Sequence, residues 1–226
     1  MKILGWNCQG ICNSSTVRAL RALVKGHCPH IVFLCETKAT ESRLKKIACS
    51  LGFSEHLTVA ARGKSGGICL FWSSGIHVDV LEFNSVTIAI SIYDSVCNWS
   101  LVGFYGPPYY RKRMKAWTNL YGLLQSLEGP WLCFGDFNTV VEDNEKLGGR
   151  SGSSSASNYL CSLISDLDAV DLGFSGAKFT WCNKRWGKGC IKERLDRGIA
   201  SNSWRTTFPR ASVKHLGAVN SDHCLC

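Results

Sequence analysis

The sequence predicts an α/β fold with a mixed β-sheet. Apolar strand patterns alternate with amphipathic helical patterns at the start of the chain, and closely spaced strand patterns follow without helices between them. The first arrangement is typical of parallel βαβ units and the second of an antiparallel meander. The chain has 226 residues, 45% of them hydrophobic and 19% charged, which suits one domain with a sizeable core.

The opening segment predicts a βαβ unit followed by a second helix. Strand patterns at Lys2–Trp6 and His30–Cys35 flank Thr16–Lys25, whose apolar residues repeat at helical spacing. The same spacing predicts a helix at Glu41–Leu51, and Gly52 is typical of a residue that ends a helix.

The remaining elements follow from turn residues and periodicity. Four meander strands are predicted at Gly67–Trp72, His77–Phe83, Val86–Ile92 and Trp99–Tyr105. Later elements are helices at Arg111–Leu127 and Ser155–Leu167, and strands at Trp131–Phe134, Lys178–Trp181, Cys190–Leu195 and Ser212–Leu216. The Gly/Ser-rich stretch Gly148–Ser155 is too short to separate domains, so we expect residues 1–226 to form a single domain.

The charge balance favours a polyanionic partner. The chain has 26 Lys and Arg against 17 Asp and Glu, a net charge of +9, and ten of the basic residues lie in Lys178–Lys214. A basic hairpin tip with an aromatic side chain is predicted there, at Lys184, Arg185, Trp186 and Lys188. Such a tip suits phosphate contacts and entry into a DNA groove, and a solvated surface loop is the alternative.

The cysteines and the N-terminus bear on location. Thirteen cysteines, spread through apolar segments, favour reduced thiols over a disulfide scaffold, and none of the close pairs has zinc-site spacing. The first residues turn polar at once, so no signal peptide is predicted, and no apolar run approaches the length of a bilayer span. We expect a nuclear or cytoplasmic protein, not a secreted one, without membrane association.

Polar residues stand where several predicted strands end. They are Asn7, Glu36, Tyr105, Asp136 and Asn138, with Asp196 and Ser221-Asp222-His223 further along. Strand ends are where α/β folds build active sites. Each residue also has an ordinary explanation: Asp136 as a turn residue, Asp196 as a salt-bridge partner of Arg194 or Arg197, and His223 as a core histidine. Their joint occurrence favours a site.

Six motifs, taken in order, resemble the endonuclease/exonuclease/phosphatase superfamily, and most closely the apurinic-type endonuclease domain of plant non-LTR (LINE) retrotransposons. They are Gly5-Trp6-Asn7, Leu34-Cys35-Glu36-Thr37-Lys38, Phe104-Tyr105-Gly106-Pro107, Gly135-Asp136-Phe137-Asn138, Arg194-Leu195-Asp196-Arg197 and Ser221-Asp222-His223. The resemblance spans the chain. It implies a DNase I-like, four-layered α/β sandwich in which two mixed β-sheets pack face to face with helices outside.

The resemblance implies a metal site at the first motifs. Glu36 would bind Mg²⁺, or Mn²⁺ as a substitute, and Asn7 and Asp222 would contribute to the same site. Gln9 stands where relatives often carry Asp or Asn, so one charge is lost near the metal.

It also implies catalytic roles for five further residues. Asp136 would position or deprotonate the attacking water, while Asn138 and Tyr105 would donate to phosphate oxygens. His223 would stabilise the transition state, and Asp196 would fix its tautomer and raise its pKa. Thr180 and Ser221 are expected among the DNA-binding residues.

The implied activity is that of a Mg²⁺-dependent DNA endonuclease that nicks one strand and leaves 3′-hydroxyl and 5′-phosphate ends. We expect a monomer that acts on DNA, and no protein partner is deduced. Two alternatives stay open: a catalytically silent, retroelement-derived remnant that binds nucleic acid, and a superfamily phosphatase or phosphodiesterase. Relatives continue past Ser221-Asp222-His223 into a final core strand, so we expect the chain to lack that strand and to fray at its end.

Overall fold

The computed structural model describes residues 1–63, 65–149, 155–218, 221–224 and 226. The strands are β1 (Ile3–Asn7), β2 (Ile31–Cys35), β3 (Glu55–Val59), β4 (Ile68–Trp72), β5 (His77–Phe83), β6 (Thr87–Tyr93), β7 (Asn98–Tyr105), β8 (Trp131–Asp136), β9 (Lys146–Leu147), β10 (Ala169–Asp171), β11 (Ser175–Gly176), β12 (Trp181–Cys182), β13 (Lys192–Glu193), β14 (Asp196–Ser201) and β15 (Lys214–His215). The helices are α1 (Ser14–His27), α2 (Glu41–Ser50), α3 (Tyr110–Ser126), α4 (Ser155–Asp166) and α5 (Asn202–Thr207), with 3₁₀ turns at Asp143–Glu145 and Gly187–Gly189.

Two mixed sheets carry the fold. The four-stranded sheet has the order β1-β2-β4-β3, with β1 and β2 parallel and the other pairs antiparallel. The six-stranded sheet has the order β10-β14-β8-β7-β6-β5, in which only the pair β7-β8 is parallel. The predicted mixed sheets are confirmed.

Alternating side chains build three apolar layers between the four structural layers. Phe33 of β2 and Phe134 of β8 meet edge to face between the two sheets, with ring centroids 5.4 Å apart. Leu34, the next residue of β2, points to the opposite face and packs under α1 and α2. Phe104 of β7 likewise packs under α3 and α4. The predicted four-layered sandwich with outer helices is therefore confirmed, because each central strand is covered on both faces.

Strand β14 was not predicted, although it lies in the middle of the six-stranded sheet. It begins with charged residues, which disfavour a buried strand by pattern alone. Buried ion pairs explain it: the guanidiniums of Arg194 and Arg197 each contact the carboxylates of both Glu145 and Asp171, at 2.6–3.2 Å. The alternative that Asp196 pairs with Arg194 or Arg197 is wrong. Strand β3, strand β10 and helix α5 were also missed.

The C-terminal segment is held by backbone hydrogen bonds on two sides. Residues 222–224 pair with residues 180–182. On the other side, Cys226 and Gly5 exchange two backbone hydrogen bonds of 3.0 and 2.7 Å.

The single-domain organisation and the lack of a final strand stay predictions. Within the described ranges, no helix combines the length and apolar character needed to cross a bilayer.

Candidate active site

Five strand ends bring polar side chains to one edge of the sandwich. Asn7 ends β1, Glu36 follows β2 and Tyr105 ends β7. The parallel register of β7 and β8 sets Tyr105 beside Asp136, and the antiparallel register of β8 and β14 sets Asp136 beside Asp196. The predicted strand-end residues therefore converge because the ladders of both sheets end at the same place.

The backbone around the site is unusual. Glu36 and Asn138 have φ values of 50° and 51°, in the left-handed region that non-glycine residues rarely adopt. Gly135 has a φ of 137°, and a Cβ atom there would overlap the carbonyl oxygen of Phe104. Glycine is thus required at the point where β8 turns the next side chain, Asp136, into the interior.

Asp136 is fully buried and receives three hydrogen bonds. Asn7 Nδ2 donates to its Oδ2 at 2.9 Å, the backbone N–H of Asn138 donates to its Oδ1 at 2.8 Å, and Asn138 Nδ2 donates to Oδ2 at 3.0 Å. Burial raises the pKa of the Asp136 carboxyl, and the charge of Asp196 raises it further against the lowering effects of His223 and the hydrogen bonds. A carboxylate with a raised pKa is a stronger base.

His223 lies between two carboxylates. Its Nδ1 is 3.0 Å from Asp196 Oδ2, and its Nε2 is 3.7 Å from Asp136 Oδ2. Burial by itself lowers the pKa of the imidazole, but Asp196 and Asp136 outweigh burial and raise it. The raised pKa favours the imidazolium form, in which Nδ1–H donates to Asp196. The predicted Asp196–His223 pair is present, and its catalytic role stays a prediction.

Glu36 occupies the more open rim of the site. Its Oε1 accepts from the Tyr105 hydroxyl at 2.7 Å and from Asn7 Nδ2 at 3.3 Å, and its Oε2 lies 3.3 Å from Lys38 Nζ. Burial raises the pKa of Glu36, but the Tyr105 and Asn7 hydrogen bonds and the Lys38 charge outweigh burial and lower it. Burial and the Glu36 charge raise the pKa of Tyr105, so the phenol stays a donor.

The rim suits a divalent cation by its donor chemistry. Glu36 is ionised, and its Oε2 faces an exposed lysine ammonium that a metal ion can displace. The amide oxygen of Asn7 accepts from Gln9 N–H at 3.3 Å and is a second hard donor. Mg²⁺ prefers such oxygens. A second group whose candidate ligand atoms lie within 4.8 Å of one another is fully interior: Asp136, Asp196 and His223.

The hydrogen bonds of Asp222 tie it to the hairpin rather than to the rim. Its Oδ2 accepts from the indole N–H of Trp181 at 2.9 Å, and Oδ1 is buried without a hydrogen-bond partner among the described residues. None of these contacts reaches Glu36 or Asn7. The role of Asp222 as a metal ligand stays a prediction.

Thr180 and Ser221 have buried side chains that bond protein groups, and the DNA contacts predicted for them stay predictions. Thr180 Oγ1 accepts from the backbone N–H of Asp196 at 3.0 Å and from the N–H of the preceding residue at 2.9 Å. Ser221 Oγ donates to the carbonyl of Asn7 at 2.8 Å and accepts from the N–H of His223 at 3.1 Å. Both buried hydroxyls therefore hold backbone groups of the site residues in place.

Asn138 and Tyr105, predicted to donate to phosphate, donate to protein oxygens. Asn138 Nδ2 bonds the carbonyl of Gly106 at 2.6 Å as well as Asp136, and Tyr105 bonds Glu36. In this arrangement Asn138 holds the buried carboxylate in place. A phosphate contact by either residue requires one of these bonds to open.

The predicted basic hairpin is present between β12 and β13, which pair antiparallel. Lys184 and Arg185 are exposed, and Trp186 is 96% exposed. Asn183 shapes the tip, since its Oδ1 accepts from the N–H groups of Arg185 and Ile191 at 3.2 and 3.0 Å. The side chain predicted at Lys188 lies outside the described part. An exposed indole flanked by cations is the composition expected of a nucleic-acid contact.

Sequence reasoning assigned no role to three charged residues that support the site. Lys38 stands in the quoted Leu34–Lys38 motif, so its spacing from Glu36 was a usable signal. Glu145 and Asp171 gave no such signal, because they meet Arg194 and Arg197 from distant segments. Their pairing fixes the strand that carries Asp196.

Comparison with solved structures shows the same fold in several nucleases. The 3′-5′ exonuclease NExo of Neisseria meningitidis has a TM-score of 0.75 at 17% identity, covering 100% of this chain and 97% of that one. The AP endonuclease LMAP of Leishmania major has a TM-score of 0.74 at 16% identity, with coverages of 99% and 85%. The endonuclease domain of TRAS1, a telomere-specific non-LTR retrotransposon, has 0.67 at 14%, with coverages of 99% and 95%.

The sequence matches a family model, although no curated protein sequence matched the chain. The family model described as the Endonuclease/Exonuclease/phosphatase family matches residues 4–223, which is nearly the whole length. The chain therefore belongs to the endonuclease/exonuclease/phosphatase family.

Proposed function

We propose that the chain is a DNA endonuclease that uses a divalent cation, Mg²⁺ or Mn²⁺, to nick one strand, as the target-site nicking domain of a plant LINE element does. One observation carries this proposal. Asn7, Asp136, His223 and Asp196 form a buried chain of contacts that ends beside the ionised Glu36. The arrangement combines a base, a fixed cation and a hard metal ligand, three parts that each promote phosphodiester hydrolysis.

Asp136 is the proposed general base. Its raised pKa lets the carboxylate accept a proton from water as the water oxygen bonds to phosphorus. The bond from phosphorus to the 3′ oxygen breaks, and that oxygen takes up a proton from solvent water, which leaves a 3′-hydroxyl and a 5′-phosphate. Asn7 and Asn138 hold Asp136 through three hydrogen bonds, so the base is oriented before substrate arrives.

His223 is the proposed electrostatic stabiliser. Its imidazolium, held by Asp196, would stabilise the negative charge that develops on the phosphate oxygens. A metal ion bound at Glu36 supplies further neutralisation of that charge when present. Because His223 is buried, its charge is screened little by water and acts strongly over a short distance.

The basic hairpin supports DNA as the substrate. Its exposed Lys184, Arg185 and Trp186 suit phosphate and groove contacts. The residues at the foot of the hairpin form backbone hydrogen bonds with residues 222–224, the segment that carries His223. DNA bound to the hairpin would therefore lie against the site. The solved structures with this fold include AP endonucleases and a retrotransposon endonuclease domain, which favours nicking of duplex DNA.

A plasmid assay tests the proposal. Supercoiled plasmid is incubated with the native chain in Mg²⁺ and in EDTA, with Asp136→Asn as the inactive control. We expect open-circular product only for the native chain in Mg²⁺, and DNA ligase should reseal it because the nick has 3′-hydroxyl and 5′-phosphate ends.

Two other results would contradict the proposal and select an alternative. A shift of plasmid mobility without nicking would indicate a silent DNA-binding protein. Release of phosphate from small esters or DNA 3′ ends without nicking would indicate a phosphatase.

A further inference from the structure

The indole of Trp181 joins the foot of the basic hairpin to the segment that carries His223. Its Nε1–H donates to Asp222 Oδ2 at 2.9 Å. Among the described residues, this is the one hydrogen bond between side chains that links the hairpin, residues 181–193, to residues 221–224. The two residues are 41 positions apart in the sequence, so the tertiary fold rather than the local chain brings them together.

Backbone pairing places the same tryptophan beside His223. Trp181 and His223 form an antiparallel bridge, and the N–H of Cys182 donates to the carbonyl of Asp222 at 3.1 Å. Residues directly opposite each other in an antiparallel pair carry their side chains on the same face, with Cβ atoms about 4.5–5.5 Å apart. Trp181 is therefore the cross-strand neighbour of His223 as well as the hydrogen-bond donor to the residue before it.

The imidazole of His223 has one short contact that orients it. Its Nδ1 lies 3.0 Å from Asp196 Oδ2, whereas its Nε2 has longer contacts, of 3.4 Å to Asn7 Nδ2 and 3.7 Å to Asp136 Oδ2. A side chain oriented mainly at one nitrogen keeps its place only while the backbone behind it is fixed. The position of the ring therefore also depends on the segment that carries it.

Two side chains hold that segment from different sides. Ser221 Oγ accepts from the His223 N–H and donates to the carbonyl of Asn7, which ties the segment to β1. The Trp181 indole ties it to the hairpin, and within the described residues it is the one hydrogen-bond donor to the carboxylate of Asp222, whose Oδ1 is buried without a partner. Without the indole this carboxylate would have to move to regain a hydrogen bond, because a buried charge without one is unfavourable.

We infer that Trp181 is a positioning residue for His223. Its indole holds Asp222 against the hairpin, and this contact keeps the adjacent imidazole in place between Asp136 and Asp196. Trp181 acts through these neighbours and not on the reacting atoms. The inference rests on the proposed function, in which His223 stabilises the transition state.

Trp181→Phe tests the role of the indole N–H. Phenylalanine keeps an aromatic ring opposite His223 but has no donor for Asp222, so kcat for plasmid nicking should fall by about tenfold at unchanged KM. Trp204→Phe is the matched control, because Trp204 on α5 is also a poorly exposed indole but its Nε1 has no hydrogen-bond partner in the described part of the chain. It should lower the melting temperature and leave kcat close to the native value. A native kcat for Trp181→Phe, or a loss confined to KM, overturns the inference.

A double-mutant cycle tests whether the indole acts through Asp222. In an Asp222→Ala background, Trp181→Phe should lower the single-turnover rate by less than about twofold, because the acceptor is already absent. An equal factor in both backgrounds would show that the indole acts by packing alone, and this result contradicts the inference.

Nuclear magnetic resonance of the protein without DNA or metal separates this inference from the proposed function. The ¹⁵N shift of His223 Nδ1 reports its hydrogen bond to Asp196. It should change in Trp181→Phe and stay native in Trp204→Phe, and Asp222→Ala should produce the same change if Trp181→Phe does not fold. A native shift in the folded variants overturns the inference even if the chain nicks DNA. The expected shifts in a chain that does not nick would contradict the proposed function and leave the positioning role of Trp181 supported.

Discussion

The side-chain amide of Asn7 lies 2.9 Å from Asp136 Oδ2 and 3.3 Å from Glu36 Oε1, so one nitrogen joins two carboxylates. Asn7 ends β1 of the four-stranded sheet, whereas Asp136 ends β8 of the six-stranded sheet. The contact therefore fixes the separation of the two sheets at the site. It also fixes the separation of the proposed base from the proposed metal ligand.

Asn7→Asp should impair catalysis strongly. The substitution keeps the size of the side chain but replaces a donor with a carboxylate that faces two others. Loss of even one hydrogen bond to a charged group, about 1.5–3 kcal/mol, predicts a fall in nicking rate of about 10- to 100-fold. The rate and the urea midpoint are measured beside Asn98→Asp, an exposed control that should match the native chain. A native rate for Asn7→Asp would refute the role of this amide.

Thr180→Val should loosen Asp196. Valine has nearly the same shape, but two buried N–H groups lose their acceptor, which costs about 1–3 kcal/mol of stability for each group. We expect a lower urea midpoint together with a lower kcat at unchanged DNA affinity. Thr180→Ser restores the acceptor and should restore most of both. If Thr180→Val weakens DNA binding with kcat unchanged, Thr180 contacts DNA after all.

As the pH is lowered, the rate of nicking should begin to fall at a higher pH than it would if the general base were an aspartate with its ordinary pKa. Burial raises the pKa of Asp136 above its usual value of about 3.9, so the base becomes protonated as pH falls through that raised value. Glu36 does not set this limb, because its pKa is lowered. The kcat/KM for nicking, measured against pH, checks the assignment. A limb at or below the ordinary aspartate value would assign it to another group.

Glu36→Gln should raise the Mg²⁺ concentration that gives half-maximal nicking. The amide keeps the acceptor for Tyr105 and Asn7 but removes the charge that attracts the cation. The increase should be at least on the order of 10-fold, the lower range for losing even an outer partner of a metal site. Mg²⁺ titrations are compared with Glu82→Gln, an exposed control on β5. An unchanged titration would place the metal elsewhere.

Removing the hairpin cations should weaken DNA binding and flatten its salt dependence. Lys184→Ala with Arg185→Ala deletes two exposed charges, and each lost phosphate contact lowers the salt slope by about 0.9. Duplex affinity is measured against salt concentration, with Lys45→Ala and Lys46→Ala on α2 as the control pair. A slope identical to that of the native chain would leave the hairpin as solvated surface.

Elements with a regular burial pattern were predictable from sequence, and β14 was not. All five residues of β2 are buried, and their continuous apolar run predicts a strand covered on both faces. In β14 the buried residues include Asp196 and Arg197, whose burial depends on partners elsewhere in the chain. A local sequence pattern does not reveal such partners. The tertiary ion pairs outweighed the local preference against a buried strand.

The same limit applies to the positions of the site residues. Asn7, Asp136 and His223 converge as the motif order implied, since strand ends are set by the topology of the fold. The burial of the Thr180 and Ser221 hydroxyls was not predictable from sequence, because the exposure of a hydroxyl depends on which backbone groups approach it. Residue type and spacing indicate that a hydroxyl is near the site but not which way it faces.

The hairpin built on β12 and β13 has a tip and a base that are held by different contacts. Its tip takes its shape from Asn183 bonding the loop's own backbone, while its base shares a ladder with the segment of His223. A loop of different length or sequence can therefore be grafted between Cys182 and Lys192 without moving the buried carboxylates. In the proposed endonuclease, target preference and bond cleavage would thus depend on separate parts of the chain.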